Sequence, residues 1–190
     1  MTDARIVRTR AALHSSITDL AAHKPVPTIT VSELAVRAGI NRVTFYKHYA
    51  SPAEALIAAL GSELDTAREH FVSDASDSAV STVATTIRLV LDHVDRHRAL
   101  YQLAINTPED GVVPNLLADH FTGSLQQYLA EHPELTPPNP EVDVTIAVRF
   151  FAHGLVGAIK AWIQEGSTDR TAFIATVLSY SPEWMFPTDD

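Results

Sequence analysis

At 190 residues, with 46% hydrophobic and 19% charged side chains, the chain holds enough apolar material for one large core or two small ones, which excludes disordered and fibrous classes. It has no cysteine, so disulfides and thiolate metal sites are excluded, and without a basic-then-apolar leader at its start the expected compartment is the cytoplasm. The net charge of −9 argues against a nucleic-acid partner, yet residues 1–50 carry seven cations (Arg5, Arg8, Arg10, Lys24, Arg37, Arg42, Lys47) against Asp3, Asp19 and Glu33, a local +4 that leaves −13 elsewhere.

Ile6, Leu13, Ile17 and Leu20 recur at helical spacing until Pro25 and Pro27 end a first helix near His23. Thr30-Val31-Ser32-Glu33 is a capping box that starts a second helix at Val31, and Gly39 ends it after about two turns. Asn41 is a good N-cap for a third short helix over Arg42 to His48. Ser51-Pro52-Ala53-Glu54 repeats the start signal for a longer fourth helix through Leu56, Leu60, Leu64 and Phe71. Ser73 to Ser81, rich in Ser and Asp, marks either a linker or a helix junction.

Helical patterns follow over Val80–His97, Ala99–Ile105, Leu116–Glu131, Val142–Gln164 and Thr171–Tyr180, with breaks expected at Pro108 to Pro114 and at His132 to Pro140. The fold class is therefore all-α, about nine helices without strands. Residues 1–50 form a helix-turn-helix domain, 52–72 a connecting helix and 73–190 a helical C-terminal domain.

The third helix concentrates Arg42, Thr44, Tyr46, Lys47 and His48 on less than three turns. A major-groove reader needs such donors for base edges beside groups that fix it on phosphates, whereas a plain three-helix core needs only Phe45 and Tyr49. Ile29 through Ala35, Ala38-Gly39-Ile40-Asn41 and Thr44-Phe45-Tyr46-Lys47-His48-Tyr49 resemble the TetR family of transcriptional regulators across roughly the first 65 residues. The resemblance implies a DNA-binding set of Thr30, Asn41, Arg42, Val43, Thr44, Tyr46, Lys47 and His48. Asn41 is the cap, Arg42 and Lys47 the chief base readers, Thr30, Tyr46 and His48 phosphate contacts, and Phe45 and Tyr49 core residues. Pro52 stands where many relatives carry a phosphate-binding lysine, which puts one contact in doubt. Arg5, Arg8 and Arg10 either grip the backbone or form a solvated face.

Phe150 through Gly157, with Trp162, resemble the C-terminal domain of regulators related to the dihydroxyacetone kinase activator. The family implies a homodimer on a palindromic double-stranded operator, its recognition helices about 34 Å apart. Phe151, Leu155, Ala158 and Trp162, with Phe173 and Val177, are the candidate interface, although burial inside one subunit gives the same pattern. The family also implies an unidentified small-molecule effector, for which Tyr101, His120, Phe121, Tyr128, Arg149 and His153 are the candidate pocket; satisfied core or surface side chains are the alternative.

His93 and His97 have the i, i+4 spacing of two metal ligands, but the surrounding Asp92, Asp95, Arg96 and Arg98 point to a solvated face, so no metal is expected. No cofactor motif, phosphate loop or nucleophile arrangement is present, and an enzyme is not expected. Asp143, Arg149, His153 and Lys160 interrupt the most apolar stretch, which argues against a membrane span. The function expected is that of a DNA-binding regulator, by default a repressor released by its effector. The alternative is an activator or helical interaction protein of the same fold with altered or lost DNA binding.

Overall fold

The computed structural model describes residues 4–73, 79–107 and 109–187, except for the side chains of 70–73 and 79–80, and all secondary structure among them is helical. The helices are α1 (Ala4–Ala21), α2 (Val31–Arg37), α3 (Arg42–Tyr46), α4 (Pro52–Ser73), α5 (Ala79–Arg96), α6 (Arg98–Ile105), α7 (Val112–Glu131), α8 (Val144–Gln164) and α9 (Arg170–Ser179). The residues expected to mark a junction between 73 and 81, the apolar position Phe71 and the breaker Pro108 lie wholly or partly outside the described set.

Local chemistry sets most boundaries. Pro25 and Pro27 end α1, and the chain turns through a 3-10 segment, Val26–Thr28, that the sequence pattern does not reveal. Thr30 Oγ1 accepts the Glu33 N–H at 3.2 Å to open α2. Gly39, at φ +67°, closes it with a Schellman turn, in which Gly39 N–H reaches Val36 O and Ile40 N–H reaches Ala35 O. Asn41 Oδ1 accepts the Thr44 N–H at 2.8 Å, which caps α3. Ser51 Oγ accepts the Glu54 N–H at 3.1 Å, and Glu54 reaches back to the Ala50 N–H at 2.5 Å, so α4 opens on a reciprocal cap.

One boundary departs from expectation. Pro114 does not precede α7 but sits in its first turn, where a missing N–H costs nothing because that donor has no helical partner.

The contacts gather into two compact units, Met1–Glu63 with His97–Leu116, and Leu64–Arg96 with Leu117–Asp190. In the first, Leu13 and Ile17 of α1, Leu34 of α2, Phe45 of α3, and Leu56 and Leu60 of α4 are all fully buried. Each contributes about 1.5–3 kcal/mol by leaving water. Ile6, expected on the apolar stripe of α1, is 43% exposed.

Asp110, buried in the loop between α6 and α7, accepts the Val26 N–H at 2.9 Å through Oδ2 and the Val112 N–H at 3.3 Å through Oδ1. One carboxylate thereby satisfies the turn before α2 and the start of α7. Asp110→Ala leaves the buried Val26 donor without an acceptor and is expected to lower stability by about 1–3 kcal/mol, with Asp110→Asn milder because it keeps an acceptor. Chemical denaturation followed by circular dichroism checks this, and equal midpoints for the alanine variant and the parent would refute it.

In the second unit, α5 and α9 are tied by Arg170, whose guanidinium meets Asp92 at 2.9 Å and Asp95 at 2.6 Å. Trp162 of α8 stacks edge-on against Phe173 of α9, ring centroids 6.1 Å apart. His93, expected on a solvated face, is buried, because α5 turns the Val83, Ile87, Val90, Leu91 and Val94 side of the helix inward and carries His93 with it.

Among the described residues, α8 is the one helix long and apolar enough to cross a membrane by length and composition. Its Val148, Ala152, Ile159, Trp162 and Ile163 are buried in the unit, and its charged and polar Arg149, His153 and Lys160 are exposed and would be costly in hydrocarbon.

Candidate functional site

The geometry of α2, the turn and α3 separates core from surface residue by residue. Phe45 and Tyr49 are buried; the Tyr49 hydroxyl lies 2.6 Å from His14 Nε2, which fixes α3 against α1. Burial, helped by the Arg10 charge, lowers the His14 pKa and keeps the ring neutral in that contact.

Asn41, Arg42, Val43, Tyr46 and Lys47 are exposed, and Thr44 and His48 half-buried. Val43 and Tyr46 are 70% and 54% exposed, large apolar surface that the folded subunit leaves in water. Arg42, Val43, Tyr46 and Lys47 fall at i, i+1, i+4 and i+5 and share one outward face.

Charge on this surface is sorted by position. Lys24 pairs with Glu33 at 2.8 Å and Arg37 with Asp19, so the acids of this region are held by cations away from α3. The Lys24 hydrogen bond, with smaller help from the Lys24 charge and the Thr30 N–H, draws the Glu33 pKa below the usual carboxylate value. Arg42 and Lys47 form no ion pair among the described residues. The exposed face of α3 is left purely cationic in a chain of net charge −9.

Three positions are sharpened. Asn41 Oδ1 accepts the cap hydrogen bond of α3, while its amide NH2 is free to donate to another partner. At the start of α4, Ser51 and Glu54 take up the local donors and add a negative charge, so Pro52 marks a terminus poorly suited to phosphate. Thr30, exposed at the start of α2, keeps its hydroxyl hydrogen while its oxygen caps the helix.

The second unit holds a half-open cavity of about 50 Å³ lined by α4, α5, α7, α8, α9 and the C-terminal Phe186. Its walls are apolar, with Phe121, Phe151, Phe173 and Phe186 prominent, and its polar groups are Arg68, Thr86, His120 and Ser124. Arg68 Nε donates to Ser124 Oγ at 3.1 Å, and Ser124 donates to the His120 carbonyl at 2.8 Å. Arg68 Nη2 stands 3.3 Å from His120 Nδ1; since a guanidinium only donates, Nδ1 accepts and the ring proton is on Nε2. Burial, then the Arg68 charge, pushes the His120 pKa down to about 4, so the ring is neutral at pH 7.

Of the expected pocket residues, His120 and Phe121 line this cavity. Tyr101 is buried in the first unit, and Tyr128 packs behind the wall, 6.0 Å from the Phe186 ring. Arg149 and His153 are exposed on α8, where His153 Nδ1 bonds the Arg149 carbonyl at 2.9 Å. Arg68, Thr86 and Ser124 are the polar members that the sequence pattern missed; a lone arginine among Leu64, Ala67 and Phe71 of α4 was the available signal.

Among the expected interface residues, Phe151 and Leu155 line the cavity, Trp162, Phe173 and Val177 are buried in the unit, and Ala158 is half-buried. The outward face of α8 instead carries Ile146 and Phe150, 66% and 81% exposed, with Gly154, Gly157 and Ala161.

Residues 81–181 match the TetR_C_8 family, described as transcriptional regulator C-terminal region. Over 55 residues the chain is 44% identical to the uncharacterized HTH-type transcriptional regulator YxbF of Bacillus subtilis, a match spanning 28% of this chain and 14% of that protein. Three solved structures share the fold. FadR, the fatty acid degradation regulator of Bacillus halodurans, has a TM-score of 0.63 and 17% identity over 94% of this chain and 95% of its own. A TetR-family regulator of Syntrophomonas wolfei has a TM-score of 0.63 and 12% identity over 90% and 92%. The dihydroxyacetone kinase operon activator DhaS has a TM-score of 0.54 and 17% identity over 90% and 94%. With its C-terminal region matched and its helical architecture shared across these regulators, the chain belongs to the TetR family of transcriptional regulators.

Proposed function

We propose that the chain is a DNA-binding repressor that leaves its operator when a small molecule occupies the cavity of the second unit. The observation that carries DNA binding is the outward face of α3, where Arg42 and Lys47 are unpaired among the described residues and flanked by exposed Val43 and Tyr46. Arg42 and Lys47 read base edges in the major groove, Val43 and Thr44 supply apolar and hydroxyl contacts, and Tyr46, His48 and Thr30 hold phosphates. Asn41 acts first as the cap that orients the helix. The protein works in the cytoplasm as a transcription factor without catalytic turnover. Gel-shift titration against duplex from its own promoter region tests this: binding should be tight for a palindrome and fall steeply with salt, and salt-insensitive or absent binding would sink it.

Two copies pair through the outward face of α8, continued by exposed Ala172, Ala175 and Tyr180 of and beyond α9. Added Cβ atoms at Gly154 and Gly157 would meet nothing within 4 Å, so the subunit's own packing does not demand glycine there, and close approach of a second helix supplies the reason. Phe150→Glu is expected to convert the dimer to monomer in light-scattering chromatography and to weaken operator binding at least tenfold. A parent protein that is already monomeric at micromolar concentration would refute the pairing.

A further inference from the structure

We propose that the cavity binds a compact monocarboxylate, its carboxylate held by Arg68, its body packed among the phenylalanine rings, and Thr86 offering a second polar anchor. This deepens the effector assignment above and rests on it.

Arg68 is the one cation on the cavity wall. Its neighbours hold the guanidinium without neutralising it: Ser124 Oγ, the His120 carbonyl at 3.4 Å and His120 Nδ1 are all neutral acceptors. Asp65, the acid next to it, stands 3.9 Å from Nη1, outside hydrogen-bond reach, and is more than half exposed to water. Nη1 therefore lacks a hydrogen-bonded acceptor among the described residues. A carboxylate is the planar anion that a guanidinium fork matches.

Thr86 adds a second, independent sign. Its Oγ1 is buried against the cavity with no hydrogen-bond partner among the described residues. Such a buried hydroxyl is destabilising until something arrives to satisfy it. His120 and Ser124 complete a polar end whose geometry is already fixed by the Arg68 network.

Charge and volume narrow the class. One guanidinium with a nearby acid matches a single negative charge; a phosphate dianion would be left in excess beside Asp65. The cavity's 50 Å³ is room for about four water-sized groups, since each needs roughly 10–15 Å³ by the same measure. Acids of up to about seven heavy atoms suit it, and longer chains exceed that space.

Thermal shift and calorimetry on the full chain with butyrate, isovalerate, octanoate and butyramide test this. Butyrate or isovalerate should raise Tm and bind at least tenfold more tightly than butyramide, which has the same shape without the charge. Octanoate should bind more weakly. Arg68→Gln should abolish the preference for acid over amide, and Arg68→Lys should retain part of it. Butyramide binding as tightly as butyrate, no binding by any acid, or undiminished preference in Arg68→Gln would each overturn the carboxylate anchor. Should the glutamine variant not fold, the acid-to-amide ratio of the parent decides. Gel shifts with the same acids separate the two levels: acid binding that leaves operator affinity unchanged supports the anchor and sinks the effector assignment.

Discussion

Replacing Arg42 and Lys47 together by alanine is expected to lower operator affinity by about thirtyfold or more at physiological salt while leaving the protein folded. Both side chains are exposed on α3 and absent from the core built by Phe45 and Tyr49, so their loss opens no cavity. A well-placed base contact is worth about 1–3 kcal/mol, and two lost together give roughly 2–6 kcal/mol. The two substitutions should differ in kind. A residue reading a base relaxes sequence preference at one operator position, whereas a residue on phosphate weakens all sequences alike and reduces the salt slope by about one. Gel shifts on a palindrome and on its point variants, at several salt concentrations, separate them. Undiminished binding by the double variant would move the reading surface elsewhere.

Acid should loosen the second unit through His120. Its pKa falls from 6.5 to about 4 on folding, so between those values the unfolded chain binds a proton that the folded chain refuses. The stability present above pH 6.5 is therefore lost progressively as pH falls towards 4, by about 3–4 kcal/mol in all, at about 1.4 kcal/mol for each pH unit of the shift. The physical cause is double: the ring is buried, and a proton on Nδ1 would face the Arg68 guanidinium 3.3 Å away. NMR titration of the histidine ring protons should find one resonance still neutral at pH 5, absent in His120→Gln. Denaturation midpoints of the parent should fall faster than those of the variant between pH 6.5 and 4. A His120 titrating near 6.5 would refute the buried network.

Capping chemistry explains why so much of the fold was legible. Thr30, Gly39, Asn41 and Ser51 act within a few residues of themselves, so the helix-turn-helix is written in local signals that the chain order displays directly. Pro114 misled because proline has two meanings, breaker in a helix interior and harmless in a first turn, and local sequence does not say which applies.

The cavity was only half legible for a different reason. His120 and Phe121 lie on one helix, but the cation that defines their chemistry comes from α4, 52 positions earlier. Nothing in the periodicity joins them. On α8 the difficulty was lack of contrast: apolar residues flank the Arg149, His153 and Lys160 stripe on both sides, so the pattern does not say which flank faces the core. The face chosen from sequence and the exposed face differ by one residue, about 100° of rotation, which is enough to exchange a cavity wall for an outer surface. Asp110 gave no signal because an acid in a glycine- and proline-bearing loop is ordinarily solvated.

The Asp110 clasp also bears on how this protein can be cut and recombined. Its two hydrogen bonds join Val26 to a loop 84 positions later, and the first compact unit includes residues 97–116. The unit that holds α2 and α3 is therefore discontinuous in the sequence. A fragment ending after α4 would keep every residue proposed to read bases, yet strand a buried backbone donor and lose α6, which belongs to the same unit. A chimera that grafts α1–α3 onto another C-terminal domain must carry the α6–α7 loop with it, or leave the Val26 donor stranded and the grafted unit less stable.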